Sequence, residues 1–482
     1  MKRILFASSE CVPFIKTGGL ADVVGSLPKR FNKEFFDVRV ILPKYACMKQ
    51  EWKDKMEYVT HFYMDWSGRQ EYVGILQIVH EEVTFYFVDN EHYFSGDKPY
   101  TEHHWDVEKF MYFDKAVLSA LPVLDFRPDI IHCHDWQAGL IPVYLHDSFA
   151  GGEFFRGIKS VMTIHNLKFQ GNDNYDMFRF IAGLSDYYFT PDKLKTGTID
   201  GNMLKGGLVY ADAITTVSST YAEEIKTEFY GEGLHGLMRA RKNDLRGIVN
   251  GIDYDDYNPD TDRMIPVKYN IDNVLEKKIH NKRAMQAEFN LAQDDGKFMV
   301  GIVSRLTDQK GFDLIAYMME RMCQQDIQFV VLGTGEPRYE DMFRYFAGKY
   351  PHLVAANIFY SEELSHKIYA SSDAFLMPSL FEPCGLSQLM SLRYGTVPIV
   401  RETGGLKDTV QPYNQFEHTG TGFSFANYNA HEMYNTVMFA KYIFTDRHDE
   451  WNGIIKSGMA QDFSWQTSAN KYQEMYDWLI GG

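Results

Sequence analysis

The chain has 482 residues, which is too long for one ordinary hydrophobic core and predicts two or three domains. Hydrophobic residues make up 45% of the chain and charged residues 24%, as is typical of globular proteins. The net charge of −16, from 49 basic and 65 acidic residues, argues against nucleic acid and membrane partners. An anionic ligand would therefore need a local basic pocket. No uncharged apolar run approaches the roughly 18–20 residues that a membrane helix needs.

Neither a targeting segment nor a cysteine framework is predicted. Glu10 closely follows the basic amino terminus and no small-residue cleavage site appears, so we expect no signal peptide and a cytoplasmic location. The 5 cysteines are odd in number, widely spaced and without a CxxC pair. This spacing argues against both a disulfide framework and a cysteine zinc site.

Short apolar runs alternate with helical patterns along nearly the whole chain, which predicts βαβ units and parallel sheets. The charged stretch 239–246 separates two series of runs, and we expect a domain boundary there. The predicted strands are 4–7, 38–42, 84–88, 130–132, 160–164 and 213–217 in the first series, and 247–249, 298–303, 329–332, 374–378 and 397–400 in the second. The predicted fold class is α/β, with two doubly wound domains whose ligand-binding loops face each other across a cleft.

A glycine turn follows the first predicted strand and contains Lys16, Gly18 and Gly19. Two glycines let the backbone approach a ligand closely, and the helix that follows offers free N–H groups to an anion. The lysine adds a full charge, although its position before the glycines excludes a Walker loop. An ordinary turn with a solvated lysine is the alternative interpretation.

Two basic residues, Arg305 and Lys310, follow the predicted strand 298–303. An arginine and a lysine on one loop suit a diphosphate leaving group, because negative charge develops on that group in the transition state. Two solvated surface charges are the alternative.

An acidic residue, Glu382, lies between the predicted strand 374–378 and a predicted helix over 386–394. A carboxylate there can accept hydrogen bonds from sugar hydroxyls or balance positive charge at an anomeric carbon. A helix-capping glutamate is the alternative. Cys384 is expected to pack rather than to act as a nucleophile, because no paired base is evident.

A second glycine turn, with Thr403, Gly404 and Gly405, follows the predicted strand 397–400 and repeats the pattern of the first turn. Each half of the chain therefore offers a backbone-amide pocket. Two such pockets favour a ligand that contains a phosphate.

Histidines mark the ends of two predicted strands. His132 and His134 would share one strand face, but the sequence places no further metal ligands beside them, so no metal site is expected. Asp135 is expected to line the cleft. His165 and Asn166 are placed to hydrogen-bond a sugar, and a structural histidine is the alternative for His165.

Several motifs together resemble those of bacterial glycogen synthases and plant starch synthases. They occur in the same order as in that family and cover essentially the whole chain. The matching stretches are KTGGLAD at 16–22, HDWQAG at 134–139, TIHNL at 163–167, NGID at 250–253, SRLTDQKG at 304–311, FEPCGL at 381–386, TGGLKDTV at 403–410 and DFSW at 462–465.

The resemblance implies a GT-B fold, in which two Rossmann-like domains surround a deep cleft. It implies a glucan-side domain over 1–245, a nucleotide-sugar domain over 246–462 and a final helix over 463–482 that crosses back to the first domain. The implied activity transfers glucose from a nucleotide-glucose, most commonly ADP-glucose, to the non-reducing end of an α-1,4-glucan such as glycogen. The anomeric configuration is retained, and no metal or other cofactor is required.

The resemblance also implies roles for single residues. Lys16, Gly18, Gly19, Arg305 and Lys310 should surround the diphosphate, and Glu382, His165 and Asp135 should surround the transferred glucose. Arg305, Lys310, Glu382, His165 and Asp135 are the expected catalytic residues. Tyr93 resembles a donor-stacking tyrosine. Further substrate contacts are expected from Asp22, Asn166, Asn250, Cys384, Gly385, Leu386, Thr403, Gly404 and Gly405.

Lys407 stands where many relatives have a small residue, which leaves the choice between ADP-glucose and UDP-glucose open. One alternative function is a related retaining transferase with a UDP-glucose donor or another acceptor. Another is a non-catalytic glucan-binding homologue, which would have no reason to keep Lys16, Arg305, Lys310 and Glu382 together.

Overall fold

The computed structural model describes residues 1–197 and 200–481, which form two compact units. Unit 1 contains Met1–Val217, Ala222–Ile248 and the segment from Trp465 onward, and unit 2 contains Ser218–Tyr221 and Val249–Ser464. The functional division of the chain at 245/246 and 462/463 stays a prediction. No helix in the described part of the chain is long and apolar enough to cross a membrane.

Unit 1 is built on a nine-stranded sheet and a small three-stranded sheet. The strands are β1 (Lys2–Ala7), β2 (Phe36–Pro43), β3 (Glu57–Trp66), β4 (Arg69–His80), β5 (Val83–Asp89), β6 (Ile130–His134), β7 (Lys159–Ile164), β8 (Asn172–Asn174), β9 (Lys195–Thr196), β10 (Asp200–Asn202), β11 (Ala213–Thr216) and β12 (Leu245–Gly247). The large sheet has the order β12-β11-β7-β6-β1-β2-β5-β4-β3, and the small one has the order β8-β10-β9. The large sheet is parallel from β12 to β5, and β4 and β3 continue it in antiparallel fashion.

Helices and single helical turns connect these strands. The helices are α1 (Gly19–Ser26), α2 (Gln50–Lys53), α3 (Glu91–Phe94), α4 (His103–Val123), α5 (Ile141–His146), α6 (Met203–Tyr210), α7 (Ser219–Glu224) and α8 (His235–Ala240). Short 3-10 helices lie at Leu27–Arg30, Trp136–Ala138, Glu153–Phe155 and Asp186–Tyr188, and a π-helical turn lies at Met177–Ile181.

Unit 2 contains a six-stranded parallel sheet with helices between its strands. The strands are β13 (Phe298–Val303), β14 (Ile327–Leu332), β15 (Val354–Asn357), β16 (Ala374–Met377), β17 (Val397–Arg401) and β18 (Phe423–Phe425), in the order β15-β14-β13-β16-β17-β18. The helices are α9 (Val274–Glu288), α10 (Phe312–Cys323), α11 (Pro337–Lys349), α12 (Glu362–Ser371), α13 (Ser387–Arg393), α14 (Gly404–Thr409), α15 (Ala430–Asp446) and α16 (His448–Met459). A 3-10 turn covers Asp308–Lys310.

The central strands are buried on both faces, which explains their continuous apolar sequences. Every residue of β6 and of β14 is buried. α10 turns Ile315 and Met319 toward the core of unit 2, because these residues recur at helical spacing. The predicted α/β class with doubly wound parallel sheets is confirmed.

The last helix, α17 (Trp465–Gly481), belongs to unit 1. The buried Tyr476 hydroxyl is hydrogen-bonded to Nδ1 of His132 on β6 at 2.6 Å. The guanidinium of Arg246 lies over the ring of Trp478, 4.6 Å from its centroid. These contacts join the end of the chain to the central and edge strands of the unit 1 sheet.

Several expectations about the strands were wrong or incomplete, and the short strands β8, β9, β10, β15 and β18 were not predicted. The predicted strand 247–249 was assigned to the second half, but the strand observed there is β12, which pairs with β11 at the edge of the unit 1 sheet. Asn250 therefore does not end the first strand of the second half. The β3–β4 hairpin was not predicted, because β3 is an edge strand with mostly exposed residues and lacks a continuous apolar run.

Candidate active site

A buried carboxylate organises the first glycine turn. Glu10, only 3% exposed, accepts hydrogen bonds from the backbone N–H groups of Thr17 and Gly18 and from the Thr17 hydroxyl at 2.7 Å. The Tyr100 hydroxyl donates a further hydrogen bond to Glu10 at 2.6 Å. The N–H groups that sequence analysis assigned to a phosphate are thus partly satisfied by the protein itself.

The rest of this turn stays accessible. Lys16 forms an ion pair with Asp22 on α1 at 2.7 Å, and the Lys16 side chain is 40% exposed. Gly18 has an extended backbone, and a Cβ built on it would meet no described atom within 4 Å. Space for a ligand therefore exists directly over Gly18, and Gly19 begins the helix behind it.

Asp135 and His165 lie at the carboxyl ends of the neighbouring strands β6 and β7. Oδ1 of Asp135 accepts the backbone N–H of His165 at 2.7 Å and that of Asn166 at 3.4 Å. The backbone of Asp135 is left-handed, with φ of 56°, a conformation that is unfavourable for a residue with a side chain. The structure brings these two predicted site residues together by a direct contact.

Burial changes the protonation of both residues. It raises the pKa of the Asp135 carboxyl to about 7, although hydrogen bonds from two backbone N–H groups act in the opposite direction. It lowers the pKa of His165 to about 3, so that the imidazole is neutral at physiological pH. A neutral imidazole can offer one hydrogen-bond donor and one acceptor.

Two other predicted ligand contacts of unit 1 are occupied within the protein. The Tyr93 ring is 2% exposed and stacks on Tyr112 and Trp105, with centroids 4.3 and 5.4 Å away. A donor could stack on Tyr93 only by displacing a neighbour, so the structure does not support that expectation. The Asn166 side chain accepts the Lys168 N–H at 3.1 Å and stabilises its own turn.

In unit 2, Lys310 and Glu382 form an ion pair at 2.6 Å, and Glu382 is 6% exposed. The Ser379 hydroxyl donates to the same carboxylate oxygen at 3.0 Å. Glu382 is therefore held by its side chain in a defined position and is not a surface helix cap. The structure brings these two predicted catalytic residues into contact.

Arg305 differs from Lys310 in its surroundings. It is exposed, and its guanidinium makes no hydrogen bond or ion pair with any other described residue. Gly311, which ends the same loop, has φ of 77°, and a Cβ there would lie 2.1 Å from the carbonyl oxygen of Pro378. The tight loop closes only with glycine at this position.

The second glycine turn packs against the backbone of the Glu382 segment. The Gly405 N–H donates to the carbonyl oxygen of Glu382 at 3.1 Å. A Cβ on Gly404 would lie 1.9 Å from that oxygen, and a Cβ on Gly405 would lie 2.0 Å from the Cys384 carbonyl oxygen. The turn that includes the buried Thr403 thus fixes the position of Glu382 as well as presenting backbone amides.

The remaining predicted contacts of unit 2 lie around Cys384. Burial raises the pKa of its thiol to about 12, so a nucleophilic thiolate is not available. Asn250 is 6% exposed, and its side-chain oxygen is buried without a hydrogen-bond partner among the described residues. Gly385 has φ of 71°, and Leu386, which is half-buried, precedes α13.

Sequence reasoning missed Glu10 and Ser379. An acidic residue eight positions before Gly18, in an otherwise apolar segment, was the available signal for Glu10, but it was used only to argue against a signal peptide. Ser379 carries no signal of its own, because a serine after a strand usually belongs to an ordinary turn.

The glycine geometry predicts opposite effects of two alanine substitutions. G405A should lower the melting temperature by several degrees, since its Cβ collides with the Cys384 carbonyl oxygen. G18A should leave the melting temperature nearly unchanged, because its Cβ meets open space. Differential scanning calorimetry of the two variants checks this, and equal destabilisation would contradict the geometry.

The buried histidines predict a loss of stability in acid. Burial lowers the pKa of His132 and of His165 to about 3, so the unfolded chain binds protons below about pH 6.5 that the folded chain does not. Each contributes a loss of about 1.4 kcal/mol per pH unit in that range. Burial also lowers the pKa of His134, and it raises the pKa of Asp135, Asp114 and Asp373, which act in the opposite direction. The contribution of one histidine is therefore read from the difference between the parent chain and a variant that lacks it.

The control is H132Q, whose amide cannot be protonated. It should start from a lower melting temperature and lose fewer degrees than the parent chain between about pH 7 and about pH 5. Parallel melting curves of the two proteins over this range would contradict the assignment of a neutral buried His132.

Comparisons with known proteins match this chain over nearly its whole length. Residues 3–240 match the family model for the starch synthase catalytic domain, and residues 285–441 match that for glycosyl transferases group 1. A glycogen synthase of Lachnospira eligens is 64% identical over 99% of this chain and 100% of its own length. A glycogen synthase of Anoxybacillus flavithermus is 48% identical over 100% of this chain and 98% of its own length.

Solved structures show which fold the chain adopts. The catalytic domain of starch synthase IV from Arabidopsis thaliana, bound to ADP and acarbose, has a TM-score of 0.92 and 31% identity. The match covers 100% of this chain and 99% of the starch synthase chain. A sucrose-phosphate synthase from Thermosynechococcus elongatus, with a TM-score of 0.63 and 15% identity over 100% of both chains, shares the fold. The chain therefore belongs to the glycogen and starch synthase family of GT-B glycosyltransferases.

Proposed function

We propose that this enzyme transfers glucose from ADP-glucose to the non-reducing end of an α-1,4-glucan such as glycogen, with retention of the anomeric configuration. The observation that carries the proposal is the set of charges in unit 2. Arg305 is free of protein partners among the described residues, and Lys310 lies 2.6 Å from a buried glutamate. This set matches a reaction in which a diphosphate leaves and positive charge develops on a sugar.

In this reaction the bond between the anomeric carbon and the diphosphate oxygen breaks, and a bond to the glucan 4-hydroxyl oxygen forms on the same face. Arg305, Lys310 and Lys16 stabilise the negative charge on the departing diphosphate. Glu382 faces the short-lived oxocarbenium ion as a negative charge. The proton of the attacking hydroxyl passes to the departing phosphate, because the site holds no assigned histidine or carboxylate base.

His165 and Asp135 are proposed to position the transferred glucose through hydrogen bonds. The proposal includes no metal ion, because two cationic side chains supply the charge that a metal would otherwise provide. It also places the reaction in the cytoplasm, since all 5 cysteines are unpaired, as suits a reducing compartment.

ADP-glucose is proposed over UDP-glucose as the donor. The starch synthase IV structure, at 31% identity, was determined with ADP bound. Radiolabelled ADP-glucose and UDP-glucose, offered separately with glycogen and EDTA, test this choice directly. Incorporation mainly from ADP-glucose supports the proposal. Incorporation mainly from UDP-glucose would overturn the donor assignment, and incorporation from neither would overturn the function.

The charge assignment predicts that R305A lowers kcat by about 100- to 1,000-fold, the usual effect of removing one group that stabilises developing charge. Its melting temperature should not change, because Arg305 has no protein partner to lose among the described residues. R344A, which removes an exposed arginine from α11, is the matched control and should retain full activity. Wild-type turnover in R305A would contradict the assigned role.

K310A should behave differently from R305A. It removes the partner of the buried Glu382, so both turnover and melting temperature should fall. K310R, which keeps the charge, should recover the melting temperature better than the activity, since a planar guanidinium cannot occupy the same position as an ammonium group.

A further inference from the structure

Three histidine rings lie close together inside unit 1, and the proposed reaction uses only one of them. His132 and His134 lie on β6, and His165 follows β7. The ring centroids of His132 and His134 are 4.3 Å apart, and those of His134 and His165 are 5.2 Å apart. His132 and His134 are completely buried, so neither can reach a ligand directly.

A hydrogen bond connects His134 to the ligand-facing histidine. Nδ1 of His134 lies 2.9 Å from Nε2 of His165, and one proton is shared between these two nitrogens. Burial holds the pKa of both imidazoles well below the ordinary range, so each ring carries a single proton at neutral pH. The proton between them comes either from His134 or from His165.

The surroundings of Nε2 of His134 decide which of the two histidines is the donor in this hydrogen bond. Its Nε2 is buried and has no hydrogen-bond partner among the described residues. Buried N–H groups without an acceptor are rarer in proteins than buried acceptors without a donor. His134 therefore keeps its proton on Nδ1 and leaves Nε2 bare, which makes His134 the donor and Nε2 of His165 the acceptor.

The proton of His165 must then lie on Nδ1, the nitrogen that has no hydrogen-bond partner in the described part of the chain. We propose that His134 is a positioning residue, which holds His165 as the Nδ1–H tautomer and so presents a hydrogen-bond donor to a sugar oxygen. The statement that the ligand is a sugar rests on the proposed function, whereas the assignment of the His165 tautomer is independent of it.

The neighbours of His134 fix its ring for this purpose. The Phe6 ring lies against it with centroids 5.2 Å apart and an interplanar angle of 24°. His132 covers another part of the ring and is itself hydrogen-bonded through both nitrogens, to the hydroxyls of Tyr476 and Thr163. A fixed second residue of this kind commonly sets which ring nitrogen of a histidine carries the proton.

Two substitutions separate the hydrogen bond from the packing. In H134N, the amide nitrogen is attached to Cγ as Nδ1 is in histidine, so it can donate to His165 from nearly the same position. In H134L, a side chain of comparable bulk fills the site but donates nothing. Both variants lose the aromatic stack, so their difference reports on the hydrogen bond.

The first readout is the tautomer itself. Long-range ¹H–¹⁵N spectra of protein labelled at histidine distinguish the Nδ1–H form from the Nε2–H form, and the H165Q variant identifies the signals of His165. The full-length parent and H134N should show the Nδ1–H form, and H134L should lose this preference. A parent protein with the proton on Nε2 of His165, or an H134L variant that keeps the Nδ1–H form, would overturn the proposal.

The second readout is kinetic and uses ADP-glucose and glycogen. H134L should lower kcat/KM by about tenfold, roughly the effect of one misdirected hydrogen bond, and H134N should recover most of that loss. Equal activity of the two variants would overturn the positioning role. If the parent has no transferase activity, the proposed function fails while the tautomer measurement still decides the role of His134.

Discussion

Parallel pairing of neighbouring strands is the constraint on which the candidate site residues of each unit depend. β6 and β7 pair in parallel, so Asp135 and His165 emerge side by side at the same edge of the unit 1 sheet. β13 pairs in parallel with β16, and the loops that follow these strands bring Lys310 to Glu382. The strand pairing alone assembles each group of residues, because the carboxyl ends of parallel strands meet at one edge of the sheet.

The glycine turns have a double role that follows from the need to satisfy buried polar groups. Glu10 takes the N–H groups of Thr17 and Gly18, and the carbonyl oxygen of Glu382 takes that of Gly405. A backbone amide that is already hydrogen-bonded contributes less to an incoming anion than a free one. In each unit the glycines therefore mainly allow close approach and close packing, and a charged side chain is needed for much of the attraction that the proposed function assigns to a phosphate.

The sequence was sufficient wherever the signal was local. Buried strands such as β14 are continuous apolar runs, and Gly404 and Lys310 lie at strand ends in recognisable motifs. It was insufficient wherever the position or role of a residue depends on a partner that is distant in sequence. Whether β12 joins the first or second sheet is decided by pairing with β11, and Tyr93 is occupied by rings from α4. The role of Glu10 as an acceptor for the N–H groups of Thr17 and Gly18 is evident only in the folded turn.

Arg305 and Lys310 differ in their protein contacts, and this difference bears on the proposed reaction. Arg305 has no partner to give up among the described residues, so it can bind a diphosphate in the ground state without loss. Lys310 is already paired with Glu382 at 2.6 Å, so in the proposed reaction the diphosphate competes with Glu382 for this ammonium group. Further negative charge develops on the diphosphate as its bond to the sugar breaks. In the proposed reaction, a shift of Lys310 toward the leaving group would leave the carboxylate of Glu382 less neutralised at the moment when the sugar becomes positive. On the proposed function, this ion pair would favour the transition state over the bound donor, which is the difference that accelerates a reaction.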